Sequence, residues 1–185
     1  MSLTKKEFRT LCLDKMRNNS KHNKKYRDLL INKKLLNYFK KNEERDILIY
    51  YPLKIEADIR KTIIWLRRQK NRNIYVPFME SVSFKIVPFR LPLHVKKFGI
   101  FETANSYKII NKIDTALVPT VGIDKNFKRL GFGKGMYDRF FAKQKNIKKI
   151  FIQSSLCYYE KDICDDYDIK ADMLITPFKT IECIQ

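Results

Sequence analysis

Apolar positions along the chain change period several times, and the changes mark out elements. Thr4 followed by Glu7 has the pattern of a capping box, in which two side chains satisfy backbone N–H groups at a helix start. Phe8, Leu11, Cys12 and Met16 then recur at helical spacing. A second helix is predicted over 22–40, with Tyr26, Leu29, Leu30, Leu36 and Phe39 as its apolar positions. Residues 47–51 form a short run rich in Ile and Tyr, stopped by Pro52, and read as a buried strand. Helical spacing returns over 56–69 through Ile59, Ile63, Ile64 and Leu66. Further strands are predicted over 74–77, 84–89, 116–121, 149–153 and 173–176, and a helix over 136–145; residues 90–113 give no clear period. Strands and helices alternating at these lengths predict a layered α/β fold with a largely parallel sheet. No linker, repeat or low-complexity tract divides the chain, so residues 1–185 are expected to form one domain.

Composition narrows the class. With 44% hydrophobic and 13% aromatic residues the chain has ample material for a core, which excludes a disordered segment. No apolar stretch approaches the roughly 20 residues that a membrane span needs, and the lysine-rich start lacks the apolar block of a secretory signal. A cytoplasmic protein without a membrane partner is expected. The four cysteines, Cys12, Cys157, Cys164 and Cys183, contain no C-x-x-C pair, so reduced thiols are expected rather than a zinc site or a disulfide framework. Neither His22 nor His94 stands beside a nucleophile or base, which argues against Ser–His or Cys–His chemistry.

The net charge of +19 is compatible with nucleic acid, anionic lipid or phosphorylated small molecules as partners. The lysines are spread from Lys5 to Lys179, however, without a nucleic-acid-binding signature, and a solvated basic surface explains them equally well.

Glycine is more informative because the chain has only five, and three fall in Arg129-Leu130-Gly131-Phe132-Gly133-Lys134-Gly135-Met136-Tyr137-Asp138. A predicted strand precedes this segment and a helix follows, a setting where backbone N–H groups meet phosphate. Glycine permits close approach and positive φ. Lys134 and Arg129 add cations, and Asp138 suits a bound Mg²⁺, which takes one or two carboxylates together with phosphate oxygens. A tight turn using glycine for geometry alone is the competing reading. The segment matches neither the Walker nor the dinucleotide pattern. Lys5 and Arg9, one helical turn apart, oppose the helix dipole, a cost that a bound anion would remove; ordinary lysine abundance is the alternative.

Val118-Pro119, Asp124 and the run from Arg129 to Phe140 resemble the signature of 5-formyltetrahydrofolate cyclo-ligases. Weaker similarities are Lys5-x-x-x-Arg9, Tyr51-Pro52 followed by Glu56, the segment Phe98-Gly99-Ile100-Phe101-Glu102, and Asp168 with Asp172-Met173-Leu174-Ile175-Thr176. The resemblance implies a three-layer α/β/α sandwich of the NagB/RpiA/CoA-transferase type. It implies ATP contacts from Lys5, Arg9, Arg129, Leu130, Gly131, Phe132, Gly133, Lys134, Gly135, Met136 and Tyr137, with Lys134 and Arg129 as the catalytic cations. Glu56, Met136 and Tyr137 would face the folate, and Asp138 and Asp172 would hold Mg²⁺. The implied reaction closes 5-formyltetrahydrofolate to 5,10-methenyltetrahydrofolate at the expense of ATP, and a monomer acting on small molecules is expected. Positioning and charge neutralisation suffice for this phosphoryl transfer, so no protein nucleophile is needed. The chain departs from the family pattern at Met136, at Phe78 after Pro77, at Thr103 and at Gly122-Ile123, all toward the folate side. Two alternatives therefore stand: an ATP-dependent enzyme of the same fold with another substrate, and a basic nucleic-acid-binding module.

Overall fold

The computed structural model describes residues 3–96, 101–108, 110, 112–144 and 146–183. The first helix, α1 (Lys5–Lys21), opens on the expected box: Thr4 accepts from the Glu7 N–H, and the Glu7 carboxylate receives the Thr4 N–H. Helix α2 (Lys24–Lys41) follows, then β1 (Asp46–Leu48), α3 (Arg60–Arg67), β2 (Asn73–Met79) and β3 (Phe84–Pro88). A two-stranded piece, β4 (His94–Val95) with β5 (Phe101–Glu102), lies in the region where the pattern had no period; Phe98, Gly99 and Ile100 of its expected motif fall outside the described residues. Next come β6 (Thr115–Pro119), β7 (Gly122–Ile123), β8 (Arg129–Leu130), α4 (Met136–Phe141), β9 (Lys148–Ile152), β10 (Met173–Ile175) and β11 (Thr180–Glu182).

Seven strands form one sheet in the order β11-β10-β9-β6-β1-β2-β3. The five central strands are parallel, and the outer strands β3 and β11 run antiparallel to their neighbours. Both faces of the central strands are buried, which is why they read as continuous apolar runs. Strand alternation divides them: Ile47, Leu117, Ile150, Ile152, Met173 and Ile175 pack on α2 and α3, whereas Leu48, Ala116, Val118, Phe151 and Leu174 face the layer holding α4. The result is the expected three-layer α/β arrangement with a mostly parallel sheet.

Three differences from the predicted elements have physical causes. The buried stripe of α2 is Ile31, Leu35 and Phe39, spaced at i, i+4 and i+8, while Tyr26 and Leu29 are exposed. Helix α3 starts at Arg60 rather than near residue 56, because Glu56 is spent on a turn in which its carboxylate accepts the Leu53 N–H at 2.8 Å. The cysteine expectation is corrected: Cys12 and Cys157 form a disulfide, and Cys164 and Cys183 are free. Helix α1 meets β7, β8 and the segment after β9 in a third apolar cluster, where Phe8, Cys12, Met16, Val121, Leu130 and Cys157 are brought together. A pairing across 145 positions leaves no local trace in the sequence.

Candidate active site

The chain runs from β1 to β2 on one side and from β6 to β9 and β10 on the other, so the order reverses between β1 and β6. Crevices beyond the carboxyl ends of strands at such a reversal are where α/β sheets bind ligands. A cavity of about 870 Å³ opens there, between Tyr50 and Tyr51 after β1 and Pro119 at the end of β6. One wall is the β2–β3 hairpin through Pro77, Phe78 and Met79; the opposite wall is the loop between β8 and α4 through Phe132, Lys134, Gly135 and Met136. Three carboxylates line it, of which Glu56 and Glu102 are buried and Glu80 is exposed.

Burial pushes the Glu56 carboxyl up to about 7, against the opposing pull of the Leu53 N–H, Arg129 and Lys24. Glu102 accepts the Met79 N–H at 3.0 Å and so holds the end of the hairpin wall. Tyr137 lies between Glu56 and Arg129; burial comes first among the causes that raise its hydroxyl well above the ordinary tyrosine range, with the nearby Glu56 charge second.

The glycine loop is built around Arg129. This side chain is 4% exposed, donates from Nε to the Pro119 carbonyl at 3.1 Å, and lies 5.0 Å from the Tyr137 ring centre. A Cβ on Gly131 would stand 2.5 Å from its Nη1, so only glycine lets the backbone cross the guanidinium. Beyond it, Gly133 and Gly135 have φ of +97° and +59°, which turns the chain back toward α4. Arg9 reaches the loop from α1, its Nε donating to the Gly131 carbonyl at 3.0 Å.

The expected site residues do not all converge. Glu56, Arg129, Phe132, Lys134, Gly135, Met136 and Tyr137 line the one cavity. The Leu130 side chain is fully buried in the α1 cluster and offers a ligand nothing. Lys5 pairs with Asp165 and Asp168; burial would lower its pKa, but the hydrogen bonds to these two carboxylates outweigh that and raise it. Asp138 is buried beside the loop, with the Ile169 N–H at 3.3 Å and Arg129 Nη1 at 3.5 Å on its two oxygens.

Asp172 lies on the segment that leads into β10, where its carboxylate receives the Lys149 N–H at 2.7 Å and pairs with the Lys149 ammonium at 3.0 Å. Lys149 is paired with Ala116, three residues before the Pro119 end of β6, or ~10 Å along the sheet. Asp138 receives the Ile169 N–H, three positions before Asp172 along the chain, and the pairing of these two carboxylates around one Mg²⁺ stays an expectation. Among the described residues no group of three or more His, Cys, Asp or Glu is arranged to hold a metal. Asp138 and Asp172 fit Mg²⁺ as one or two carboxylates completed by phosphate oxygens and water.

Sequence reasoning assigned no role to Glu102, although its segment was noted, and none to Tyr51 or Lys96, which also line the cavity. Tyr51 was legible only as the end of a predicted strand and part of a weak family similarity, and nothing local to Lys96 distinguishes it from a surface residue; the topology brings both in.

A cleft at a strand-order reversal, with aromatic walls, buried carboxylates at one side and a lysine-bearing glycine loop at the other, defines an α/β enzyme acting on small molecules. The profile of the 5-formyltetrahydrofolate cyclo-ligase family matches residues 1–177, and the chain belongs to that family. It is similar to a 5-formyltetrahydrofolate cyclo-ligase of Haemophilus influenzae, 28% identical over 133 residues, covering 66% of this chain and 68% of that protein. The cyclo-ligase of Mycoplasma pneumoniae is 28% identical over 155 residues, covering 82% and 85%. Among solved structures, the 5,10-methenyltetrahydrofolate synthetase of Aquifex aeolicus superposes with a TM-score of 0.78 at 25% identity, covering 99% of this chain and 94% of that one. The synthetase of Mycoplasma pneumoniae superposes at 0.73 with 26% identity, covering 95% and 99%.

Proposed function

We propose that this protein closes 5-formyltetrahydrofolate to 5,10-methenyltetrahydrofolate, converting ATP to ADP and phosphate. The observation that carries this reading is that one cavity presents two walls suited to the two substrates. The apolar hairpin side with Tyr51, Phe78 and the carboxylates of Glu56 and Glu102 suits a flat heterocycle bearing N–H donors. The loop side offers Lys134 and glycine backbone to phosphate.

In the reaction the formyl oxygen attacks the γ-phosphorus, and ADP leaves. N10 then attacks the activated formyl carbon and loses its proton, and phosphate departs with the former formyl oxygen. Folate rests on the hairpin side with Glu56, and Met136 and Tyr137 meet it from across the cleft, while Lys134, Arg9 and the loop backbone hold the phosphates. Arg129 acts from below, fixing the loop and Tyr137. Lys5, committed to Asp165 and Asp168, secures α1 and with it Arg9. Asp138 would hold Mg²⁺ against the phosphates, where the ion would neutralise their charge. The reading includes a cytoplasmic, monomeric enzyme with no nucleic-acid or membrane partner.

Mixing the purified chain with 5-formyltetrahydrofolate, ATP and Mg²⁺ tests it. The near-ultraviolet absorbance of the methenyl product should rise, and omitting ATP or the folate should abolish the rise. ATP binding without that signal would favour a different substrate.

A further inference from the structure

Arg139 lies on the exposed side of α4 and is not among the residues lining the cavity, yet it joins the two walls. Its Nη2 donates to the Lys134 carbonyl in the glycine loop at 2.5 Å, and its Nε donates to the Val82 carbonyl at 2.5 Å. Val82 sits in the turn of the β2–β3 hairpin, closed by the Glu80 N–H donating to Ser83 at 2.9 Å. The sulfur of Met136 lies 3.6 Å from Nη2, and a Cβ on Gly135 would stand 2.9 Å from Nη1. The guanidinium thus occupies the space that the glycine leaves open, and spans from one wall to the other.

Both walls are exposed where it grips them. Val82 is 67% exposed at a hairpin tip, and the loop reverses through two positive-φ glycines. Below the clamp the walls pack through rings: Phe84 of the hairpin stands 4.5 Å from Phe140 and 5.0 Å from Tyr137. Ring packing anchors the base of the hairpin, and Arg139 ties its tip to the loop. A planar fork with several fixed donors suits such a bridge between two carbonyls better than an ammonium does.

We propose that Arg139 is a positioning residue that couples the two substrate walls, so that each ligand raises the affinity for the other. The inference rests on the reading that folate settles on the hairpin side and the nucleotide on the loop side. A ligand that orders the hairpin fixes Val82, and through Arg139 the Lys134 carbonyl; the second ligand then meets a loop already ordered. Such coupling is reciprocal by linkage and needs no change in mean structure.

Calorimetric titration with the β,γ-imido analogue of ATP, in Mg²⁺, with and without saturating 5-formyltetrahydrofolate, measures it. The unaltered chain should bind the analogue about tenfold more tightly with folate present, within the usual range for coupled sites. In Arg139→Ala each ligand alone should keep its affinity to within about threefold, while the coupling factor falls to about one. Circular dichroism and thermal melting of the variant should match the unaltered chain. Coupling that survives in Arg139→Ala, or is absent from the unaltered chain while both ligands bind, overturns the inference and leaves the proposed function standing. A variant that loses its fold makes Arg139 a stability residue and also overturns it. Failure of the unaltered chain to bind either ligand removes the proposed function itself, and the coupling with it.

Discussion

Glu56 is held at the floor of the cavity at 5% exposure, with one oxygen on the Leu53 N–H. Its folded-state pKa of about 7 lies above the ordinary 4.5, so the fold favours the protonated form. The stability this contributes is fully present below pH ~4.5 and is lost as pH rises through ~7, an amount on the order of 3 kcal/mol. Denaturant titrations between pH 5 and 8 should show that decline, and Glu56→Gln should flatten it. An unchanged slope in the variant would assign the decline to other groups. A folate N–H donor against Glu56 would restore a partner for the ionised form, so saturating folate should lower this pKa.

Lys134 is exposed on the loop, so Lys134→Ala should leave the fold intact and raise the KM for ATP by about tenfold or more, equivalent to ~1.4 kcal/mol. Wild-type kinetics would remove it from the phosphate site. Asp138→Asn keeps an acceptor for the Ile169 N–H but removes the charge. Activity measured against Mg²⁺ should then require more of the ion; identical metal dependence would exclude Asp138 as a ligand. At this scale the glycine motif was legible in the sequence because rare residues clustered at fixed spacing. Arg139 was not, since its partners are two backbone carbonyls, one of them 57 positions away.

Helix α1 shows how an element is placed by contacts that the local pattern only half records. Its capping box and the burial of Phe8, Cys12 and Met16 were legible. Its docking was not, because the docking surface is assembled from β7, β8 and the segment around Cys157. Gly122, a departure from the family pattern, has a steric reason: a Cβ there would lie 2.9 Å from Cys12 Sγ and 3.1 Å from the Phe8 ring. Gly122→Ala should therefore cost about 1–3 kcal/mol in a denaturant titration, and should weaken ATP binding by shifting Arg9. Wild-type stability would show that α1 has room to move. The disulfide between Cys12 and Cys157 closes a loop across 145 positions. In the chain-entropy account its reduction should lower the thermal midpoint by on the order of 10 °C. Equal midpoints with and without reductant would mean that the link contributes no stability.

For the whole molecule, the order of strands decides where chemistry can occur. Alternating apolar runs announced a parallel sheet, but not which strands are neighbours. The reversal between β1 and β6 follows from crossovers that no local pattern encodes. That topology gathers residues from Tyr50 to Tyr137 into one cavity and leaves Asp172 at the start of β10. The edge elements β4, β5, β7, β8 and β11 are two or three residues long, too short for a period to register. The central claim is that this cavity brings the formyl oxygen against the γ-phosphorus. Single-turnover reaction with 5-formyltetrahydrofolate labelled with ¹⁸O in the formyl group tests it most directly. The account predicts that the released inorganic phosphate carries the label; unlabelled phosphate formed alongside the methenyl product would contradict it.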